Sequence, residues 1–457
     1  MATKKKPTRN STTGSASSPL ASSSVEELLM AALERGGNTL ETGRYLITFK
    51  EGAEQAGLES LGTQGLKIAD ARDFKNQATV LEDVGDADAL NFPEIGVALI
   101  SGNAVQERSM SAISALSDTD ADSPYESVDP EYFVFAEQVM KEFMRSGYAE
   151  TGEKTSGDFL RGFLQAAEMI AKEFGYDTER SEREQQEEIE VLGATWGLIA
   201  CKVPPSSRSG KGIKVAVLDT GMDLKHPDFI GRSITGSSFV GQPVQDLHGH
   251  GTHCIGTSTG PKAPAGSIPR YGIGYKTSIF TGKVLSNSGS GSQAGVLAGM
   301  NWAIANRCQV ISMSLGSQSP VHPAYTAAGQ AALNNGCLIV AAAGNAGSNT
   351  GSPANSPTIM SVASLDTNLS PSSFSNFGKV EIAAPGRDVF SSWPRPTRYK
   401  TISGTSMATP HVAGCAALWA ETSANLRGLA LWRKLQATAK RLPFPASRVG
   451  AGLVQAP

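Results

Sequence analysis

Lys214-Val-Ala-Val-Leu-Asp-Thr-Gly221 sets four apolar residues between a lysine and an acid, and two later runs, Gln309–Leu315 and Cys337–Ala343, have the same make. Short apolar runs without polar alternation are what strands buried on both faces look like. Helical patterns lie between them, at Gln293–Asn306 and Ala324–Asn334. Strands alternating with helices predict a doubly wound α/β fold around a mostly parallel sheet. Ligands and chemistry in such a sheet gather at the carboxyl ends of the strands, so Asp219, directly after the first run, is a candidate by position.

Working outward, the Gly-, Ser- and Ala-rich α/β region spans 191–457. Upstream lies a smaller α+β pattern at 44–136: a strand Arg44–Lys50, a helical stretch to Leu61, an apolar segment Leu66–Ala69, a strand Ile95–Ser101, a helix near Ala104–Leu116 and a strand Val128–Ala136. Residues 137–190 read as a helical connector, with Phe163, Ala167, Ile170 and Phe174 on one face and a charged end at Glu179–Glu190. Residues 1–43 read as a disordered or weakly structured tail, with a short helix at Val25–Leu33.

The balance of 40 basic against 43 acidic residues, net −3, offers no field for nucleic acid or an anionic membrane. Even Leu338–Ala343 is far short of the roughly 18–20 apolar residues that span a bilayer. Met1–Ser24 carries Lys4, Lys5 and Lys6 and then Ser and Thr, without the apolar stretch of a secretory signal. Five cysteines, odd in number and sparse, predict reduced thiols, and together these features point to the cytoplasm.

Four segments carry residues suited to chemistry. Asp219 heads an Asp-Thr-Gly that also occurs in aspartic proteases, which need a second such carboxylate; the sequence has no second copy. Leu247-His-Gly-His-Gly-Thr-His-Cys254 holds three of the six histidines. His250 and His253, three apart, share a helix face, and with His248 or a carboxylate they would form a zinc set, the reading of a metal-dependent hydrolase. Ser403-Gly-Thr-Ser-Met-Ala-Thr-Pro-His-Val-Ala-Gly414 puts Ser406 at a helix N-terminus, where free N–H groups stabilise a developing oxyanion, or where a serine merely caps. Asn345 in Ala341-Ala-Ala-Gly-Asn-Ala-Gly347 is either a side-chain donor into the same space or a turn asparagine.

These segments resemble those of the subtilase family, in that family's order of Asp, His, Asn and Ser. Ser312-Met-Ser-Leu-Gly316, Ser373-Phe-Ser-Asn-Phe-Gly378, Ala383-Ala-Pro-Gly386 and Gly450-Ala-Gly-Leu-Val-Gln455 extend the likeness over roughly 192–457. Cys254 after His253, and Ser352-Pro-Ala-Asn-Ser-Pro357, are similar to the proteinase K branch. The resemblance implies a serine endopeptidase with Asp219, His250 and Ser406 as its triad and Asn345 in the oxyanion hole. It implies that Gly289, Gly291, Ser314, Leu315 and Gly316 hold an extended peptide, and that Ala343 and Gly344 line an uncharged pocket with an apolar bias. His253 and His411 become structural, and Cys254 becomes a buried thiol near His250 that mercurials would attack.

Tyr45–Lys50 and Val128–Ala136 are similar to the outer strands of the ferredoxin-like inhibitory propeptide of these enzymes. This implies a zymogen cut between about 136 and 200, with peptide substrates and its own propeptide as partners, acting as a monomer. The chemistry requires no cofactor. Asp228 matches a calcium-ligating aspartate of the family, whereas Lys262–Tyr275 does not resemble the family's calcium loop. A catalytically silent peptide-binding module is the remaining rival.

Overall fold

Val215 and Val217 point into one apolar core and Ala216 and Leu218 into another, and all four are buried. A strand covered on both faces has no polar side to show, which is why its sequence does not alternate. The computed structural model describes residues 24–34, 40–79, 84–102, 123–136 and 193–457.

Within them the N-terminal strands are β1 (Glu41–Phe49), β2 (Ile68–Asp70), β3 (Ala89–Phe92), β4 (Val97–Ile100) and β5 (Tyr125–Ala136). The larger unit holds β6 (Lys214–Asp219), β7 (Ile234–Ser238), β8 (Ser278–Lys283), β9 (Ser290–Ser292), β10 (Val310–Met313), β11 (Leu315–Gly316), β12 (Leu338–Ala342), β13 (Met360–Leu365) and β14 (Ile382–Pro385). Its main sheet has seven strands in the order β14-β13-β12-β10-β6-β8-β7, every pair parallel. From β6 the chain runs out to β7 and back to β8 on one side and then crosses to β10 on the other, so the strand order reverses at β6, at whose end Asp219 sits.

The helices His250–Thr259 and Thr405–Thr422 pack on one face of this sheet, and Gln293–Ala305 and Pro323–Asn334 on the other. Thr405–Thr422 is buried continuously from Thr405 to Leu418, so small residues are needed along it. At Gly414 a Cβ would lie 2.7 Å from Ile273, and only glycine fits.

In the N-terminal sheet β5, β1, β4, β3 and β2 follow one another, antiparallel except for β2 with β3. One face is covered by the helix Glu54–Thr63 through Ile47, Phe49, Leu61 and Ile100. The other face, with Leu46, Leu90, Phe92 and Leu99, joins the core that contains Gln293–Ala305 and Pro323–Asn334. The last residues of β5 run on between β9 and β11 of the larger unit.

A buried ion pair fixes this docking. Glu131 on β5 accepts from Arg44 Nε (2.6 Å) and Nη2 (3.0 Å), from Thr42 Oγ1 and from the Ala294 N–H (2.8 Å). Ala294 lies in the first turn of Gln293–Ala305, where the positive end of the helix dipole favours a carboxylate. Arg44 Nη2 also donates to Ser292 Oγ (3.1 Å), the residue that caps the helix. These contacts hold the Glu131 carboxyl below its usual range although burial opposes it.

Several expectations shift. The helix read at Val25–Leu33 runs Val25–Glu34, and it packs on β1 and β9 through Val25, Leu28, Leu29 and Ala32. The first strand begins at Glu41 rather than Arg44, because Thr42 and Arg44 face the buried Glu131. Strand β3 is not legible in sequence, since Asn91 interrupts a four-residue run. The helix expected near Ala104–Leu116 and the connector expected at 137–190 lie outside the described residues.

Arg44→Ala leaves Glu131 buried without its counter-charge, and removing one partner of such a pair costs about 3–5 kcal/mol. Chemical denaturation of the full chain is expected to show that loss, with Arg44→Lys recovering part of it.

Candidate active site

Asp219 leaves the end of β6 fully buried, and its Oδ1 accepts from the Thr220 N–H (2.7 Å) and faces His250 Nδ1 at 2.7 Å. His250 opens the helix His250–Thr259, after Gly249 at φ 105°, where a Cβ would run into the Trp393 ring. The buried Asp246 sets the start of that helix. Its Oδ1 accepts from the N–H groups of His248 (3.0 Å) and Gly249 (2.8 Å) and from Thr220 Oγ1 (3.0 Å). Its Oδ2 accepts from Thr252 N (2.9 Å) and Oγ1 (2.7 Å). Thr220 Oγ1 in turn accepts from the Gly251 N–H (2.8 Å), so the helix bearing the base is tied to the strand bearing the acid. Asp246 and Thr220 escaped the sequence reading, although an acid just ahead of a helix start is a capping signal.

Ser406 is the second residue of Thr405–Thr422. Its Oγ donates to the Ser314 carbonyl (3.3 Å), while His250 Nε2, also buried, has no hydrogen-bond partner. The hydroxyl is thus parked beside the cleft wall rather than on the imidazole, a separation that commonly tightens when substrate is engaged. Asn345 Oδ1 accepts from Thr405 N (2.8 Å) and Oγ1 (2.9 Å), so Nδ2 is the end of the amide that donates beside Ser406. Thr405, a third residue the sequence reading missed, thereby fixes which way the amide faces.

The expected peptide-binding residues are brought together around the end of β5. Gly289 O accepts from the Ala136 N–H (2.8 Å), Gly291 lies opposite Val134, and Leu315 and Gly316 lie opposite Ala136 and Phe135. Ser314 Oγ donates to the Ser406 carbonyl (2.8 Å). Ala343 and Gly344 follow β12, with Gly344 at φ 112° and too close to Asn376 for any side chain.

Burial works against a charged imidazole at His250, yet the adjoining Asp219 outweighs it and raises the pKa well above 6.5. The neighbouring histidines go the other way. Burial, reinforced by charge on His250, lowers His248 to about 4 and His253 to about 3. His253 Nε2 lies against the carbonyls of Val389 (3.0 Å) and Lys400 (3.1 Å), so that nitrogen carries a proton and cannot ligate a metal. His411 Nδ1 faces the Met407 carbonyl at 2.8 Å in the same structural manner. Among the described residues, the ligand atoms that do converge are those of Asp219, His250 and Cys254, not the three histidines of a zinc set. Cys254 Sγ lies 4.0 Å from His250 Nδ1, and burial pushes its thiol up. The Asp228 carboxylate accepts from the hydroxyls of Tyr271 and Tyr399.

An acid, a base, a serine and an amide donor at the strand ends of a parallel α/β sheet define a serine-hydrolase site. Residues 210–452 match the Subtilase family. The chain is 40% identical over 268 residues to Subtilisin Savinase of Lederbergia lenta, covering 57% of this chain and 96% of that one. It is 40% identical over 256 residues to Subtilisin-like protease 2 of Pseudogymnoascus destructans, covering 52% of this chain and 62% of the relative. Over 272 residues it is 40% identical to the Cuticle-degrading protease of Metarhizium anisopliae, covering 55% and 67%. The solved structure of a cold adapted subtilisin-like serine proteinase matches with a TM-score of 0.52 at 35% identity, over 58% of this chain and 98% of that one. The chain belongs to the subtilase family and is a subtilisin-like serine peptidase.

An imidazole must be neutral to take a proton, and a raised pKa keeps it charged to higher pH. The rise of kcat/KM with pH is therefore expected to centre above 6.5. Asp219→Asn should move that limb down and cut kcat by about 10⁴-fold, the loss known for the triad acid of serine proteases; pH–rate profiles of both proteins check this.

Proposed function

We propose that the protein hydrolyses internal peptide bonds through an acyl-enzyme on Ser406, and that it is made as a precursor inhibited by its own residues up to about 136. The observation that carries this reading is the antiparallel seating of Phe133-Val-Phe-Ala136 between β9 and β11, with Ala136 opposite Leu315, the neighbour in sequence of the Ser314 whose carbonyl accepts from Ser406 Oγ. Main-chain pairing of an extended segment to both edges of a cleft is how a peptide substrate is held.

His250 takes the Ser406 proton as the hydroxyl attacks the carbonyl, and then delivers it to the leaving amine. Asp219 holds the imidazole through Nδ1 and stabilises its charged form. The oxyanion is met by Asn345 Nδ2 and the Ser406 N–H, at the start of a long helix whose dipole adds to both. Water then hydrolyses the ester with His250 acting again as base.

Ser314, whose carbonyl holds the Ser406 hydroxyl, immediately precedes Leu315, and Leu315 lies opposite Ala136. We therefore place the self-processing cut within 136–138. The α+β unit is a propeptide of the ferredoxin-like kind, and the enzyme acts as a monomer on peptide and protein substrates. Uncharged cleft walls at Ser314–Gly316 and Ala342–Gly344, and the apolar Phe133–Ala136 occupying the cleft, favour broad specificity with an apolar bias. No metal enters the scheme, and Asp228 serves as the acceptor for Tyr271 and Tyr399.

A fluorophosphonate probe should label processed wild type in the presence of EDTA and leave Ser406→Ala unlabelled. Labelling that requires a metal, or none in processed protein, would overturn the reading. Asn345→Ala should lower kcat, with little change in KM, by the roughly 10²–10³-fold found for one oxyanion donor in subtilisin. A peptide library that yields only Arg or Lys before the cut would refute the apolar bias.

A further inference from the structure

Lys379 precedes β14, with its side chain 27% exposed and its ammonium set against three protein oxygens. Nζ donates to the main-chain carbonyls of Ala354 (2.9 Å) and Ile359 and to Glu381 Oε2 (2.8 Å). The two carbonyls belong to the loop 351–359, which follows Asn345 and returns to β13. Glu381 Oε2 also accepts from the Ser361 N–H (2.6 Å), so the carboxylate is held in place from the far side. Burial lowers the Lys379 pKa, with Glu381 opposing, as expected of an ammonium that has exchanged water for protein oxygens.

An ordinary surface lysine would pair with Glu381 alone. Two carbonyls from one loop together with a carboxylate just ahead of β14 are instead the hard oxygen donors that a calcium or alkali ion takes. We propose that the Lys379 ammonium occupies a cation cage built by Ala354 O, Ile359 O and Glu381, so that the chain braces loop 351–359 with a tethered charge in place of a dissolved metal ion.

The brace has a consequence for the cleft. Gly351 N donates to Ala343 O (3.1 Å), and Ser352 exchanges hydrogen bonds with Ser317 (2.9 Å each), so the loop's first residues form the outer support of the pocket wall. A free ion at that position would tie the wall to the cation concentration; a lysine removes that dependence.

The test uses the full chain carrying Ser406→Ala, so that no processing intervenes, with Lys379→Ala and Lys379→Met added separately. In EDTA both variants are expected to melt roughly 5–10 °C below the parent, having left buried oxygens unpaired. Calcium should restore most of the loss in Lys379→Ala, where the cage is open. It should restore little in Lys379→Met, whose apolar stem fills the space, and little in the Lys379→Ala/Glu381→Gln double variant.

Trp432 provides a second readout, its ring lying 5.9 Å from Lys379 Nζ. Terbium should show tryptophan-sensitised emission in Lys379→Ala beyond that of the parent, displaceable by calcium and lost with Trp432→Phe. A calcium response and terbium emission of Lys379→Ala equal to the parent's would overturn the proposal. So would a variant that stays unfolded with and without calcium.

Discussion

The contact between Asp219 and His250 is the constraint around which the larger unit is arranged. Both groups are fully buried, and a carboxylate or imidazolium removed from water is costly unless each finds a fixed partner. The fold supplies that partner by ending a buried strand and starting a helix at one place. Gly249 allows the tight approach, Asp246 collects five donors from the turn and from Thr220 and Thr252, and the His250 helix cannot slide against β6. The same long-range logic places Ser406, because Thr405 binds Asn345 while Ser314 accepts from the Ser406 hydroxyl, drawing β10, β12 and the Thr405–Thr422 helix to one point.

The N-terminal sheet depends on that arrangement as much as it covers it. Strand β5 is an edge of its own sheet, and edges left open invite pairing. Here the edge is completed by β9 and β11, the two rims of the cleft. The buried Arg44–Glu131 pair and the Ala294 N–H set where β5 lies, and therefore which of its residues pair with β9 and β11. The helix Val25–Glu34 extends this cover across β9.

What could be read in the sequence follows from how local each signal is. The runs at Lys214, Gln309 and Cys337 gave away the parallel sheet because burial on both faces leaves an unbroken apolar string. Asp219, His250, Asn345 and Ser406 were legible because each stands in a short motif at an element boundary. Asp246 and Thr405 were not singled out, since an acid before a helix and a threonine beside a serine are common. Lys379 had no local signature at all: its partners at Ala354 and Ile359 are main-chain oxygens, which no side-chain pattern reveals. The Glu131 pair was hidden for the same reason, its partners lying 87 and 163 residues away.

Self-processing requires Ser406 to cut the chain just beyond the β5 segment that pairs with β9 and β11. Intact masses of purified wild type and Ser406→Ala test it most directly. Wild type is expected as two fragments divided within 136–138, and Ser406→Ala as a single uncut chain. A Ser406→Ala protein cut at the same bond would contradict it, and a wild type cut only elsewhere would contradict the placement of β5 as the segment presented to the serine.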